Sequence, residues 1–228
     1  MVSNEKMISV MVSGRKKNYP SGTPVSEIGK DFQSAYPAQI LLSKVDGKLT
    51  ELMSAVDSDC TIEFLTICDS AGATTYLRSL VFLMIKAFYD TTPEIVDDVY
   101  VDFNISNGLY CHIRGLSIND SVIDRVSSRM RELVDMDLPF EKKTIKSHDA
   151  IRIFRNQGMQ DKAAVFRYRR ASMSNVYRLQ DYQDYFYAYL VPSTGYLQHF
   201  EIFPYEGGFI LQRPQSDSPN TIQPYKPQ

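Results

Sequence analysis

The chain has 228 residues, 43% of them hydrophobic and 23% charged, with a formal net charge of −2. That length accommodates one or two domains with real apolar cores, and the balanced charge excludes a general nucleic-acid-binding polycation. Three cysteines, Cys60, Cys68 and Cys111, none in a C-x2-C pair, argue against a disulfide scaffold and a cysteine zinc site. The longest apolar run, Leu80 to Ile85, falls far short of the ~20 residues of a membrane span. No secretory pattern opens the chain, so the expectation is a cytoplasmic protein with no membrane partner.

In chain order, Met7 to Val12 is β-branched enough for a strand, and Gly14 marks a turn. Thr23 is placed to cap a short helix with Pro24 at its first position and Val25, Ile28 and Phe32 on its apolar side. Ile40 to Val45 reads as a strand, and Asp46-Gly47 is a strong hairpin signal. Thr61 to Ile67 reads as a further strand. Leu77, Leu80, Val81, Met84, Ile85 and Phe88 recur at helical spacing over Thr75 to Tyr89. Val99 to Ile105 and Gly108 to Ile113 read as a strand pair around Asn107-Gly108. A second amphipathic helix covers about residues 121 to 135, and Phe140 to Ile145 reads as a short strand. Ser147 is placed to cap a third helix. The aromatic last third, Tyr182 to Leu190 and Tyr196 to Pro204, is strand-like, with Phe209 to Gln212 closing. After Arg213, prolines among Ser, Asn and Gln read as a linker or tail.

Two stretches carry a family resemblance. Tyr19-Pro20-Ser21-Gly22-Thr23-Pro24-Val25 and Val45-Asp46-Gly47, with Leu52 and Ile62-Glu63, resemble the TGS domain, a β-grasp module of threonyl-tRNA synthetases and certain GTPases. Asp137-Leu138-Pro139-Phe140, Asn156-Gln157-Gly158 leading to Lys162, and Val191-Pro192-Ser193-Thr194-Gly195-Tyr196 resemble the editing domain of threonyl- and alanyl-tRNA synthetases. The fold class implied is α+β: a TGS-like unit at 1–68, an editing-like unit at 69–213, and a tail at 214–228. That resemblance also implies where the chain departs. The family's two histidines, one helical turn apart, fall on Arg78 and Phe82; its Cys-x3-His pair falls on Phe186 and Leu190. No metal or catalytic residue is therefore expected, and Lys162 and Asp184 persist as polar positions of the pocket.

The combination of a TGS unit with a ligand-less editing unit resembles the N-terminal half of a bacterial nucleoside (uridine) kinase family. It implies an accessory region, regulatory or binding nucleotide or RNA, with a P-loop kinase domain using ATP and magnesium expected beyond residue 228. Within the chain no phosphate loop is found: from Gly22 to Asp31 six residues separate the glycines, and Asp31 stands where a hydroxyl is required. The competing reading is a metal-independent aminoacyl-tRNA or aminoacyl-ester hydrolase carried by Lys162 and Asp184; a third is a structural or dimerising module. Candidate ligand contacts are Lys162, Asp184, Arg78 and Tyr187. Arg78 either meets an anionic ligand or edges a core that Phe82 joins. Lys162 and Asp184 either bind a ligand or persist as a structural pair. From Glu141 to Arg170 nine Lys/Arg face three Asp/Glu, and Arg167, Arg169 and Arg170 around Tyr168 are the candidate RNA contacts or simply a solvated face.

Overall fold

The computed structural model describes residues 6–115, 118–186 and 188–227. The first strand, β1 (Met7–Val12), buries Ile8, Val10 and Val12 on one face, the period of two that a half-buried strand requires. It pairs antiparallel with β2 (Arg15–Pro20) and is the start of a mixed five-stranded sheet. Two residues, Thr23–Pro24, form β3, followed by helix α1 (Val25–Lys30). Thr23 does not cap that helix: its hydroxyl donates to the Pro20 carbonyl, 2.6 Å, and its backbone pairs with Val56. Strands β4 (Leu42–Val45) and β5 (Lys48–Thr50) flank the Asp46-Gly47 turn. Both turn residues have positive φ, 49° and 79°, the geometry that matches a hairpin's twist and favours Asp-Gly. After β6 (Ala55–Val56), β7 (Cys60–Leu65) inserts centrally, parallel to β1 and antiparallel to β4, giving the order β2-β1-β7-β4-β5. Val25, Ile28 and Phe32 close a core against Ile8, Val10, Ile62 and Phe64.

Helix α2 (Ser70–Thr91) starts a second and larger core. Gly72 meets the end of the preceding strand so closely that a Cβ there would lie 1.9 Å from the Thr66 carbonyl oxygen. Against α2 pack helix α3 (Asp120–Asp135), capped by the Asn119 side chain accepting from Val122 N–H, and an antiparallel sheet. That sheet has the order β13-β14-β9-β8, from β8 (Val99–Ile105), β9 (Gly108–Ile113), β13 (Glu201–Tyr205) and β14 (Gly208–Gln212). A three-stranded antiparallel sheet, β10 (Glu141–Lys146), β11 (Met173–Leu179) and β12 (Tyr182–Tyr185), carries helices α4 (Ser147–Asn156) and α5 (Gln160–Phe166) in its β10–β11 crossover. Ser147 is not a cap: its hydroxyl donates to Ala171 O, 2.6 Å, and lies 2.8 Å from the Ser174 hydroxyl. The expected strand to Leu190 stops at Tyr185.

The architecture is α+β, with separated sheets and five α-helices among the described residues. Among those residues no helix is long and apolar enough to cross a membrane. Residues 214–227 lie along the second sheet, where the Tyr225 ring sits against Phe203 and Tyr205 at 5.4 and 5.3 Å and the Asn107 side-chain amide donates to the Pro224 carbonyl, 3.1 Å.

Thiol chemistry tests the packing. Cys111 is fully buried, and desolvation pushes its thiol up to about 12, whereas Cys68 is exposed. Thiolate is the reactive form. At pH 8 a disulfide reagent should therefore modify Cys68 rapidly and Cys111 only on adding denaturant, and Cys68→Ser should abolish the fast phase in the absorbance trace.

Candidate functional site

Lys162 projects from α5 and Asp184 from β12, 22 residues apart in sequence. The Lys162 ammonium is 2.6 Å from both Asp184 oxygens. Asp184 is nearly closed off, 4% exposed on its side chain, while Lys162 retains 35%. The carboxylate also accepts from the Tyr182 hydroxyl, 3.1 Å, and from the Tyr185 N–H, 2.6 Å. Four donor contacts occupy its lone pairs, so Asp184 is built to hold Lys162 rather than to take a proton from water. The Lys162 ammonium also lies 5.9 Å from the Phe154 ring centre.

Next to this pair, the positions implied as metal ligands hold an aromatic cluster. Phe82 is fully buried, with ring centres 5.3 Å from Phe186, 5.4 Å from Tyr182 and 5.5 Å from Phe140. Leu190 is buried and Arg78 half-buried. Phe82, Phe186 and Leu190 supply no donor atom and Arg78 only a guanidinium, so these residues do not fit a metal ion. Phe82 is a core residue, as the sequence alternative had it, and Arg78 lies one turn away on the same helix face.

The remaining candidates do not converge on that point. Tyr187 lies outside the described residues. Arg167 and Arg170 are exposed, but Arg169 turns inward, its guanidinium 4.3 Å from the Tyr185 ring centre and 5.3 Å from that of Phe166. The basic run is thus split, with one of its three arginines used in packing.

A constellation that the sequence reading missed spans the two cores. Glu51, just after β5, accepts from the Lys142 ammonium at 2.8 Å and from the Tyr177 hydroxyl. Lys142 also lies over the rings of Tyr177 and Tyr189, 5.6 and 5.5 Å from their centres. Glu51, Lys142 and Tyr177, with Met53, Phe140, Leu190 and Pro192, border a cavity of about 340 Å³. Burial first, then the bond to Glu51, pushes the Tyr177 phenol far above its ordinary value, so it stays a donor at any physiological pH. The partners lie 91 and 126 residues apart, and no local pattern announces them.

Two substitutions read this arrangement. Phe82→Ala should destabilise the chain by about 3–5 kcal/mol, the range for emptying a buried aromatic site. Asp184→Asn should cost about 1–3 kcal/mol, between an exposed and a fully buried ion pair. Urea denaturation of each variant measures both.

No family model matches the chain. It is similar to threonine–tRNA ligases: 24% identical over 205 residues to that of Desulforamulus reducens, covering 86% of this chain and 31% of the relative. The ligase of Halorhodospira halophila is 27% identical over 198 residues, 86% of this chain and 31% of its own length. That of Thermotoga neapolitana is 23% identical over 214 residues, 90% of this chain and 31% of its own length. The chain spans 31% of the length of these relatives, and all three carry the name of a synthetase rather than of a nucleoside kinase.

Proposed function

We propose that this chain is a threonyl-tRNA-synthetase-related module that engages the aminoacyl end of tRNA without a metal ion. Residues 1–68 act as the TGS-like β-grasp unit, consistent with a mixed sheet crossed by the short helix α1, and residues 69–213 as the editing-like unit. The relatives supply tRNA as the ligand class, and the nucleoside-kinase reading, with its ATP and magnesium, draws no support from them. The observation that carries the proposal is the Lys162–Asp184 pair: a buried carboxylate orients the ammonium of a lysine whose side chain keeps about a third of its surface open. Such an ammonium suits an acceptor oxygen of the 3′-terminal nucleotide or its ester. Saturation of Asp184 by its four donor contacts favours recognition over hydrolysis there.

Filter retention of a threonine-accepting tRNA transcript, free or acylated with serine or threonine, tests the reading, with deacylation followed in parallel in EDTA. The acylated tRNA should bind with salt-dependent affinity, and Lys162→Ala should weaken it about tenfold, the loss of one charge-assisted hydrogen bond. Retention of neither form overturns the proposal. EDTA-resistant deacylation that disappears in Lys162→Ala would replace recognition with the hydrolase reading.

A further inference from the structure

A second cavity, of about 610 Å³, is lined by none of the residues of the candidate site above. Its volume is within the ~300–1,000 Å³ typical of small-molecule sites. Its walls come from the last two turns of α3, from the 3-10 turn Thr194–Tyr196, and from Gln39 of the first unit. Tyr196 packs against both hydrophobic cores, so the cavity sits where the two units meet.

Its charges are arranged in an unusual way. Arg131 and Asp135 are one turn apart on α3, close enough for an i,i+4 ion pair. They do not form one: the Arg131 guanidinium is turned over the Phe200 ring, 4.9 Å from its centre, and among the described residues neither has a hydrogen-bond or ion-pair partner. Asp137 adds a carboxylate fixed from behind. It occupies a left-handed conformation, φ 48°, and its Oδ1 accepts from Gly195 N–H, 3.1 Å, and from the Ser193 hydroxyl. The C-terminal end of a 16-residue helix brings partial negative charge to the same side. The cavity thus offers a ring-stacked cation one helical turn from a cation-seeking pole, with the Gln39 and Gln198 amides beside them. Burial and the neighbouring Asp137 raise the Tyr196 phenol, which leaves it a donor at neutral pH.

We infer that this cavity binds a small zwitterion of the α-amino-acid class. The ligand carboxylate pairs with Arg131, its ammonium with Asp135 and Asp137, and a polar side chain reaches Gln39 and Gln198. A simple anion would meet Arg131 but also two carboxylates, and a simple cation the reverse. Only a ligand carrying both charges a few bonds apart satisfies both poles. This inference is independent of the aminoacyl-tRNA reading, because Lys162 and Asp184 take no part in it.

Isothermal titration of the 228-residue chain with the twenty common L-amino acids, one at a time, is the test. For the best binder the N-acetyl and carboxamide forms follow, with inorganic phosphate as an anion control. At least one amino acid should bind, and blocking either terminus should weaken it tenfold or more. Arg131→Gln should remove the distinction between the acid and its carboxamide, and Asp135→Asn that between the free amine and its N-acetyl form. Both positions are exposed on the helix, and circular dichroism checks that the variants remain folded. Lys162→Ala should leave amino-acid binding unchanged, which separates failure here from failure of the tRNA reading. Absence of heat with all twenty, equal binding of the blocked forms, or binding of phosphate in preference would each overturn the assignment.

Discussion

Helix α2 imposes the constraint around which the larger unit is organised. Twelve of its 22 residues are buried, more than a single amphipathic stripe supplies. A helix so apolar must be covered on several sides, and the chain does this with α3, the β13-β14-β9-β8 sheet and the aromatic side chains near β12. Even its one buried ammonium is accommodated: Lys86, 1% exposed, is 2.5 Å from Asp90 and 2.6 Å from Asp181, and Asp90 is in turn held by Arg129. Burying the Lys86 ammonium is tolerable only because it is paired on both sides, although its second partner, Asp181, remains largely exposed.

The same helix explains the character of the site. Where the synthetase resemblance implies imidazoles meeting an ion, Phe82 extends the apolar face of α2 by one more position and brings Phe140, Tyr182 and Phe186 around it. Polar function is then displaced to the rim. Lys162 and Asp184 lie at one edge of the aromatic cluster, tied to it through Tyr182, and Glu51, Lys142 and Tyr177 lie at another, where the first unit touches the second.

Much of the scaffold was legible in the sequence because its signals are local. The helical recurrence from Leu77 to Phe88 and the amphipathic run ending at Val134 need only periodicity, and Asp46-Gly47 needs only the positive φ that both residues adopt. Both helix caps assigned to hydroxyls failed because carbonyls outside the helix took the hydroxyl: Thr23 turns back to Pro20, three residues earlier, and Ser147 reaches Ala171, a contact that depends on the fold. The site was legible only in part. Lys162 and Asp184 were singled out through resemblance, and they do meet. Arg169 shows the opposite case, since nothing in a run of arginines tells which one will stack on Tyr185. Glu51 and Arg131 were passed over, and Asp137 was read only as part of a family motif, because their contacts arise where segments distant in sequence come together.

The contact between Gly72 and the Thr66 carbonyl has a mechanical consequence. The polypeptide passes from the first core to the second through residues 66 to 70, and there the helix is seated directly on the strand end with no room for a methyl group. Such a junction behaves as a weld and not as a hinge. With Thr66 in contact with Gly72, a displacement of the strand end cannot be taken up at this point without moving the start of α2. Phe82, with the aromatic side chains around it, lies on the same helix, some three turns further along a rod of ~1.5 Å rise per residue.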